Sequence, residues 1–248
     1  MFLPLLVTAL ALAQVPDTHA SGRRESIAAA GAVVSFGWQD GDEQVAEQVR
    51  RVLPAALRAA VRWGALPATL ALEVHPTHAG LEQATGRTGN PWMRAWARTG
   101  SVDLQSPRTW TRGSASDDAL LRILSHEITH CVLFEAAGRE GRARGVPYWF
   151  QEGMASVAAG EHHEVAHPDA VTHPGPFLRT DPKVAYGTAD RAFRELLRRF
   201  GEPRVRRLLS LLGEGQAFAV AFRDSMGEPL DEFESELGRR LTAVAALD

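Results

Sequence analysis

In the segment from about Ser116 to Ala137, apolar residues cover most of the surface of a helix and leave only a narrow polar stripe. This pattern predicts a long helix that is mostly buried. Ser114 or Ser116 can cap its N-terminus, and Gly138 can end it. Two histidines and one glutamate interrupt the apolar run, and burying them without partners would cost several kcal/mol. The chain must therefore fold other elements around this helix and provide a partner for its polar groups.

The interrupting residues form the motif His126-Glu127-Ile128-Thr129-His130. Residues four apart on a helix differ by roughly 40° in direction, so both histidines can reach one ion. Two imidazoles at this spacing suit Zn²⁺, and Glu127 beside them can accept a proton from an attacking water without binding the metal. The motif is expected by chance about 0.02 times in a chain of this composition. The sequence therefore predicts a zinc site with Glu127 as general base.

A hydrolytic zinc site needs a third protein ligand and leaves one position to water. Leu133 and Ala136 stand where metzincins continue with Gly and His, which excludes that class. Glu152 is the better candidate, because it is a lone carboxylate in the largely apolar start of a predicted helix between Pro147 and Gly160. The alternative is a first-turn Glu that only complements the helix dipole.

The motif and the later segment Trp149-Phe150-Gln151-Glu152-Gly153-Met154-Ala155 together resemble the gluzincin zinc metallopeptidases, and specifically the peptidase MA-like family with its W-x-x-E-G-x-A signature. The resemblance runs from about Ser101 to the C-terminus. It implies a zincin-like active-site helix, a zinc ion bound by His126, His130 and Glu152, and Glu127 as general base.

The resemblance also adds Tyr186 to the candidate catalytic residues, because the family tends to carry a Tyr ahead of the next helix. Its phenol can donate a hydrogen bond to an oxyanion, although a Tyr at such a position is also explained by packing. Thermolysin-like relatives have an Asp where this chain has Ser156. We therefore expect a weaker hydrogen bond to His126.

The periodicity along the chain predicts an α+β fold. Residues 21–113 read as an N-terminal α/β part, with strands at Ala32–Phe36, Thr69–Val74 and Val102–Gln105 and a helix near residues 45–61. Residues 114–248 read as a mainly helical part, and we expect one continuous catalytic domain over 21–248. The cleft should lie between the strand at Val102–Gln105 and the two metal helices, where that strand can add a peptide to the sheet edge.

Residues 161–181 are rich in His, Pro and charge and read as a loop. The expectation for His162, His163, His167 and His173 is that they are solvated, and the alternative is a second metal site. Helices should resume after Thr188 as N-cap and again at Pro203. Asp190, which follows a Gly-Thr pair, is an alternative third ligand of the aspzincin kind, and Cys131 reads as a core residue.

The N-terminus predicts export. Leu3–Ala13 is an apolar run that ends in a small-x-small pattern, so residues 1–13 read as a signal peptide and the mature chain begins near Gln14. The absence of Lys or Arg ahead of the run argues against this interpretation. The run is too short to span a bilayer, and no stable membrane insertion is expected. We expect a bacterial periplasmic or extracellular protein.

The net charge of −3 gives no electrostatic reason to expect a nucleic-acid partner. The sequence therefore predicts a zinc-dependent peptidase acting on a peptide or protein substrate. The alternative is an exported zinc-binding or peptide-binding protein that has lost catalytic turnover. Retention of Glu127 favours the enzyme, because a structural zinc site has no need of a general base.

Overall fold

The computed structural model describes residues 22–110, 115–138 and 145–245. The predicted signal peptide lies outside these residues. The N-terminal half contains strands β1 (Arg23–Ala29), β2 (Ala32–Trp38), β3 (Thr69–His75), β4 (Ala95–Arg98) and β5 (Ser101–Gln105), with helices α1 (Glu43–Val61) and α2 (His78–Thr85). The remainder forms helices α3 (Asp117–Ala137), α4 (Tyr148–Ala159), α5 (Pro174–Thr180), α6 (Pro182–Gly213), α7 (Phe218–Met226) and α8 (Leu230–Ala245). The predicted α+β fold class is confirmed.

The five strands form one mixed sheet in the order β1-β2-β3-β5-β4. Strand β2 pairs with β3, and β3 with β5, in parallel, while β1 and β4 are antiparallel edge strands. The prediction that Val102–Gln105 forms the edge of the sheet is wrong, because the unpredicted strand β4 covers it. A peptide can therefore add to the sheet only beyond β4 on this side.

Alternation along the strands separates two faces of the sheet. One face is apolar and joins α1, α3, α4 and α6 in a single core; it includes Val34, Phe36, Leu70, Leu72, Val102 and Leu104. The other face carries ion pairs, in which Arg24 contacts Glu73 and Arg98 contacts Asp103. The core thus lies between the sheet and the helices, and α3 runs through it.

Helix α3 begins and ends where its sequence predicts. The hydroxyl of Ser116 accepts a hydrogen bond from the amide of Ala119 at 3.2 Å, so Ser116 is the N-cap, while Ser114 lies outside the described residues. Gly138 ends the helix with a φ of 74°, a conformation that favours glycine. Cys131 is buried in the core, as predicted.

Helices α4 and α6 cross at very short range. A Cβ at Gly153 would overlap the carbonyl oxygen of Ala189 and the Cβ of Phe193, so only glycine permits this approach. An aromatic cluster from α4, α6, α7 and α8 includes residues of both helices at the crossing; its members are Trp149, Phe150, Phe193, Phe218, Phe222 and Phe233. Within the described part of the chain, no helix combines the length and hydropathy needed to cross a bilayer.

Two sequence predictions about the C-terminal half are wrong. Residues 161–181 are not all loop, because Pro174–Thr180 forms α5. Helix α6 begins at Pro182 rather than after Thr188, and Pro182 at its first position supports that start. The predicted division near Pro203 does appear, as a break in α6 at Gly201, where φ is 75°.

Candidate metal centre

Two helices bring the three predicted ligands together. His126 and His130 lie on α3, and Glu152 lies on α4, which packs against it. The Oε2 atom of Glu152 is 3.4 Å from Nε2 of His126 and 3.6 Å from Nε2 of His130. One ligand atom from each residue lies within 4.8 Å of the others, a grouping compact enough to hold a single metal ion.

The chemistry of this group fits zinc. Two imidazole nitrogens and one carboxylate oxygen form a common ligand set of catalytic zinc, and donors about 2 Å from one ion lie roughly 3–4 Å apart. Burial raises the pKa of Glu152, but the neighbouring His130 and His126 outweigh it and hold that pKa well below its usual range. The carboxylate is therefore ionised, as a ligand must be. That these three residues bind metal remains a prediction.

Glu127 lines the same cavity but stands outside the ligand group. Burial raises the pKa of Glu127 above its usual value, although the two histidines and the backbone amide of Ala97 oppose the shift. The amide of Ala97 belongs to β4, so the edge strand contacts the predicted general base directly. A carboxylate with a raised pKa is a better proton acceptor than an ordinary Glu.

The only two tyrosines of the chain both lie near this centre. Tyr186 lines the cavity. It belongs to α6, so the prediction that it lies ahead of the helix is wrong. Burial and the carboxylates of Glu152 and Glu127 raise the pKa of Tyr186, so the phenol keeps its proton. Tyr148, which the sequence did not single out, lies with its ring centroid 6.2 Å from that of Tyr186.

Sequence reasoning missed Glu161, which follows the end of α4. Its Oε2 atom lies 3.3 Å from Nδ1 of His126 and 3.4 Å from Nε2 of His163. Burial raises the pKa of Glu161, but the nearby rings of His126 and His163 outweigh it and lower that pKa well below the usual range. Ser156 stands where thermolysin-like relatives have an Asp and cannot supply a carboxylate to His126. Glu161 places a carboxylate beside that ring instead. The only sequence signal was an acidic residue just after the helix-ending Gly160.

Residues 161–167, which we call the strap, are held against α6 by backbone-directed contacts. Arg194 donates to the carbonyl oxygen of Glu161 at 2.6 Å, and Arg191 donates to that of Glu164 at 3.3 Å. The amide of His167 donates to the hydroxyl of Thr188 at 3.0 Å. A Cβ at Gly187 would overlap the carbonyl oxygen of Val165. The strap therefore lies directly on the helix that carries Tyr186.

These contacts correct the predictions for the loop and for the alternative ligand. His162, His167 and His173 are exposed as expected, but His163 lines the cavity. Thr188 is not an N-cap, since its hydroxyl donates to the carbonyl oxygen of Val184 inside α6. Asp190 is buried and pairs with Arg194 at 2.8 Å, so it does not join the predicted ligands.

The cavity has a volume of about 310 Å³ and lies between α3 and the free edge of β4. Gln105 of β5 donates to the carbonyl oxygen of Arg94. Along an antiparallel strand, residues whose backbone groups bond to the neighbouring strand alternate with residues whose backbone groups point away from it. The backbone groups of Ala95 and Ala97 therefore point away from β5, toward the cavity. Large apolar side chains complete this wall, namely Trp92, Trp96, Ile123 and Phe134.

Comparisons with known proteins bear on the fold. No protein-family model matches the chain. No curated protein matches it either. The chain is similar to the structure of Legionella pneumophila aminopeptidase A in complex with aspartic acid, with a TM-score of 0.55 and 13% identity over 86% of this chain and 28% of that chain. It also aligns with an M1 zinc metallopeptidase from Deinococcus radiodurans, with a TM-score of 0.40 and 12% identity over 88% of this chain and 50% of that one.

The similarity to aminopeptidase A shows a shared fold. The chain spans about a quarter of that protein's length and half of the other's. Identity this low transfers neither substrate nor catalytic residues.

Proposed function

We propose that this protein is a zinc-dependent peptidase of the gluzincin type, related to the peptidase MA-like family, that hydrolyses peptide bonds. One observation carries the proposal: His126, His130 and Glu152 converge on one point, while Glu127 lines the same cavity without joining them. A site that only stored or displayed zinc would have no use for this fourth, uncoordinated carboxylate. The fold that the chain shares with an aminopeptidase supports the same conclusion.

Each residue of the site has a separate role in the proposed reaction. His126, His130 and Glu152 would hold the ion, and a zinc ion in such a site polarises a carbonyl group and lowers the pKa of water toward about 7. Glu127 takes the proton of the attacking water and passes it to the leaving amine, a task that its raised pKa favours. Tyr186 keeps its proton and can donate a hydrogen bond to the oxyanion that forms on the substrate.

The walls of the cavity support a peptide as substrate. The outward backbone groups of Ala95 and the outward carbonyl oxygen of Ala97 allow an extended peptide to add as a further strand. Trp92, with 52% of its surface exposed at the cavity, offers an apolar contact for a substrate side chain. The peptide therefore binds along β4, with its backbone next to Glu127.

The test is cleavage of internally quenched peptides by wild-type protein, with a chelator and after zinc is restored. Glu127→Gln should retain zinc and lose about 10²-fold or more in kcat/KM, because an amide cannot accept and return a proton. Glu135→Gln is the matched control: it makes the same change at an exposed position of α3. Its kcat/KM should equal that of wild type.

Two results would contradict the proposal. Cleavage by Glu127→Gln at the wild-type rate would exclude Glu127 as the general base. Zinc binding by wild type without cleavage of any peptide in a broad library would favour the alternative, a binding protein that has lost turnover. Zinc content is measured on every sample, so that loss of metal is not mistaken for loss of the base.

A further inference from the structure

The carboxylate of Glu161 lies between two histidines. His126 has one ring nitrogen, Nε2, 3.4 Å from Glu152 on the ligand side, and its other ring nitrogen, Nδ1, 3.3 Å from Oε2 of Glu161. The same Oε2 atom lies 3.4 Å from Nε2 of His163. The two ring nitrogens of His126 therefore face two different carboxylates, one on α4 and one on the strap.

We propose that Glu161 is a positioning residue, which fixes the ring of the predicted metal ligand His126 and holds His163 in the cavity through the same oxygen atom. The proposal rests on the proposed metal centre. A histidine that gives Nε2 to a metal carries its proton on Nδ1, and a carboxylate that accepts this proton fixes the tautomer and makes the ligand more basic. Glu161 is the residue that meets Nδ1 here.

The position of Glu161 is itself fixed from α6. Arg194 donates to its backbone carbonyl at 2.6 Å and is held by the buried Asp190. The side chain of Glu161 is only 23% exposed, so its carboxylate points inward rather than into solvent. By contrast, Glu164 on the same strap is exposed. The inward direction is therefore not shared by the other carboxylate of the strap.

His163 links this carboxylate to the substrate side of the site. It lines the cavity, and its ring lies 6.3 Å from that of Tyr186 at an angle of 26°. Loss of the Glu161 carboxylate should therefore release two rings at once, that of His126 behind the ligand group and that of His163 beside Tyr186. A purely structural role for Glu161 would affect stability without affecting either ring.

The experiment compares Glu161→Gln with Glu164→Gln, the same change three residues along the strap at an exposed side chain. Zinc affinity is measured by competition with a chromogenic chelator, and Glu161→Gln should bind zinc about 10–100-fold more weakly. In the zinc-loaded wild type, nitrogen-edited NMR should show a strongly downfield Nδ1 proton on His126, which Glu161→Gln should move upfield. Glu164→Gln should leave both readouts unchanged.

A second substitution keeps the test decisive if Glu161→Gln is destabilised. The buried Ser156 lies next to Glu161, and its carbonyl oxygen accepts a hydrogen bond from the amide of Glu161 at 2.9 Å. Ser156→Asp in the Glu161→Gln background should therefore return a carboxylate to Nδ1 of His126 and recover at least half of the lost affinity on a logarithmic scale. Glu161→Gln that binds zinc within twofold of wild type, with an unchanged Nδ1 proton, overturns the proposal. Wild type that binds no zinc overturns the metal centre itself, and the role of Glu161 with it.

Discussion

The helix pair α3–α4 and the strap supply groups to the same cavity but are held in place by different forces. The helices are fixed by burial: Leu124, Ile128, Phe150 and Met154 are all at or near full burial in the common core. The strap has little apolar burial, and Val165 within it is 53% exposed. It depends instead on hydrogen bonds from α6 and on the close approach that Gly187 permits.

This difference matters for the site. Residues on the helices can move only if the core reopens, which involves most of the free energy of unfolding. Residues on the strap can move when a few hydrogen bonds break, at a much smaller cost. The predicted ligands and general base therefore lie on the rigid part, whereas Glu161 and His163, which we assign to positioning, lie on the part that can detach locally.

The largest effect should follow from removing a ligand on the helices. Glu152→Ala should abolish both zinc binding and peptide cleavage, because two histidines cannot complete a catalytic zinc site. Asp190→Ala is the control, since Asp190 was the rival ligand in sequence and is paired with Arg194 instead. It should still bind one zinc, with an affinity no more than about tenfold below that of wild type, because Arg194 then holds Glu161 less firmly. Its stability should fall by about 1.5 kcal/mol at most, because Arg194 is partly exposed.

Metal content by mass spectrometry and urea unfolding of the same samples check this prediction. Loss of zinc in Asp190→Ala together with its retention in Glu152→Ala would reverse the assignment of the third ligand. The metal ligands would then not all lie on the rigid helix pair α3–α4.

Two glycine substitutions should separate the two regions. Gly153→Ala forces a Cβ into the backbone of α6, where neither helix can yield, and should destabilise the protein by about 3 kcal/mol. Gly187→Ala places a Cβ against the carbonyl of Val165, where the strap can move outward into solvent. Its net effect on unfolding should be below about 1 kcal/mol, because alanine also favours the helix.

The second variant should show its effect at the metal instead. A displaced strap withdraws Glu161 from His126, so zinc affinity in Gly187→Ala should fall about tenfold. Urea unfolding of the metal-free proteins gives the change in the free energy of unfolding, and competition with a chelator gives the zinc affinity of each variant. Equal destabilisation by the two alanines would show that the strap is as much a part of the core as the helices.

The same contrast explains how much the sequence could predict. The bounds of α3 and α4 follow from local signals, namely a serine cap, helix-ending glycines and apolar periodicity, and these signals are reliable for buried helices. The convergence of His126, His130 and Glu152 was anticipated because the motif spacing and the apolar surroundings of Glu152 both indicated it.

The features that sequence reasoning missed depend on contacts between distant residues. Strand β4 is short, and nothing in its own sequence shows that it covers β5. Thr188 was misread as a helix cap because its actual partners, His167 and Val184, follow from tertiary packing. Glu161 resembles any polar loop residue until the fold brings it to His126. The predicted boundary between residues 113 and 114 lies outside the described residues and stays a prediction.

The smallest effect should follow from removing one hydrogen bond of the strap. In Thr188→Val the amide of His167 loses its acceptor, and because His167 is exposed, water can replace the hydroxyl. The cost should be about 0.5–1 kcal/mol, and the His167 amide should exchange with solvent faster by up to about fivefold. Thr180→Val is the control, since its hydroxyl bonds only within α5. If hydrogen exchange at His167 is the same in both variants, Thr188 does not hold the strap, and the strap's attachment must be assigned to Arg191, Arg194 and the close approach at Gly187.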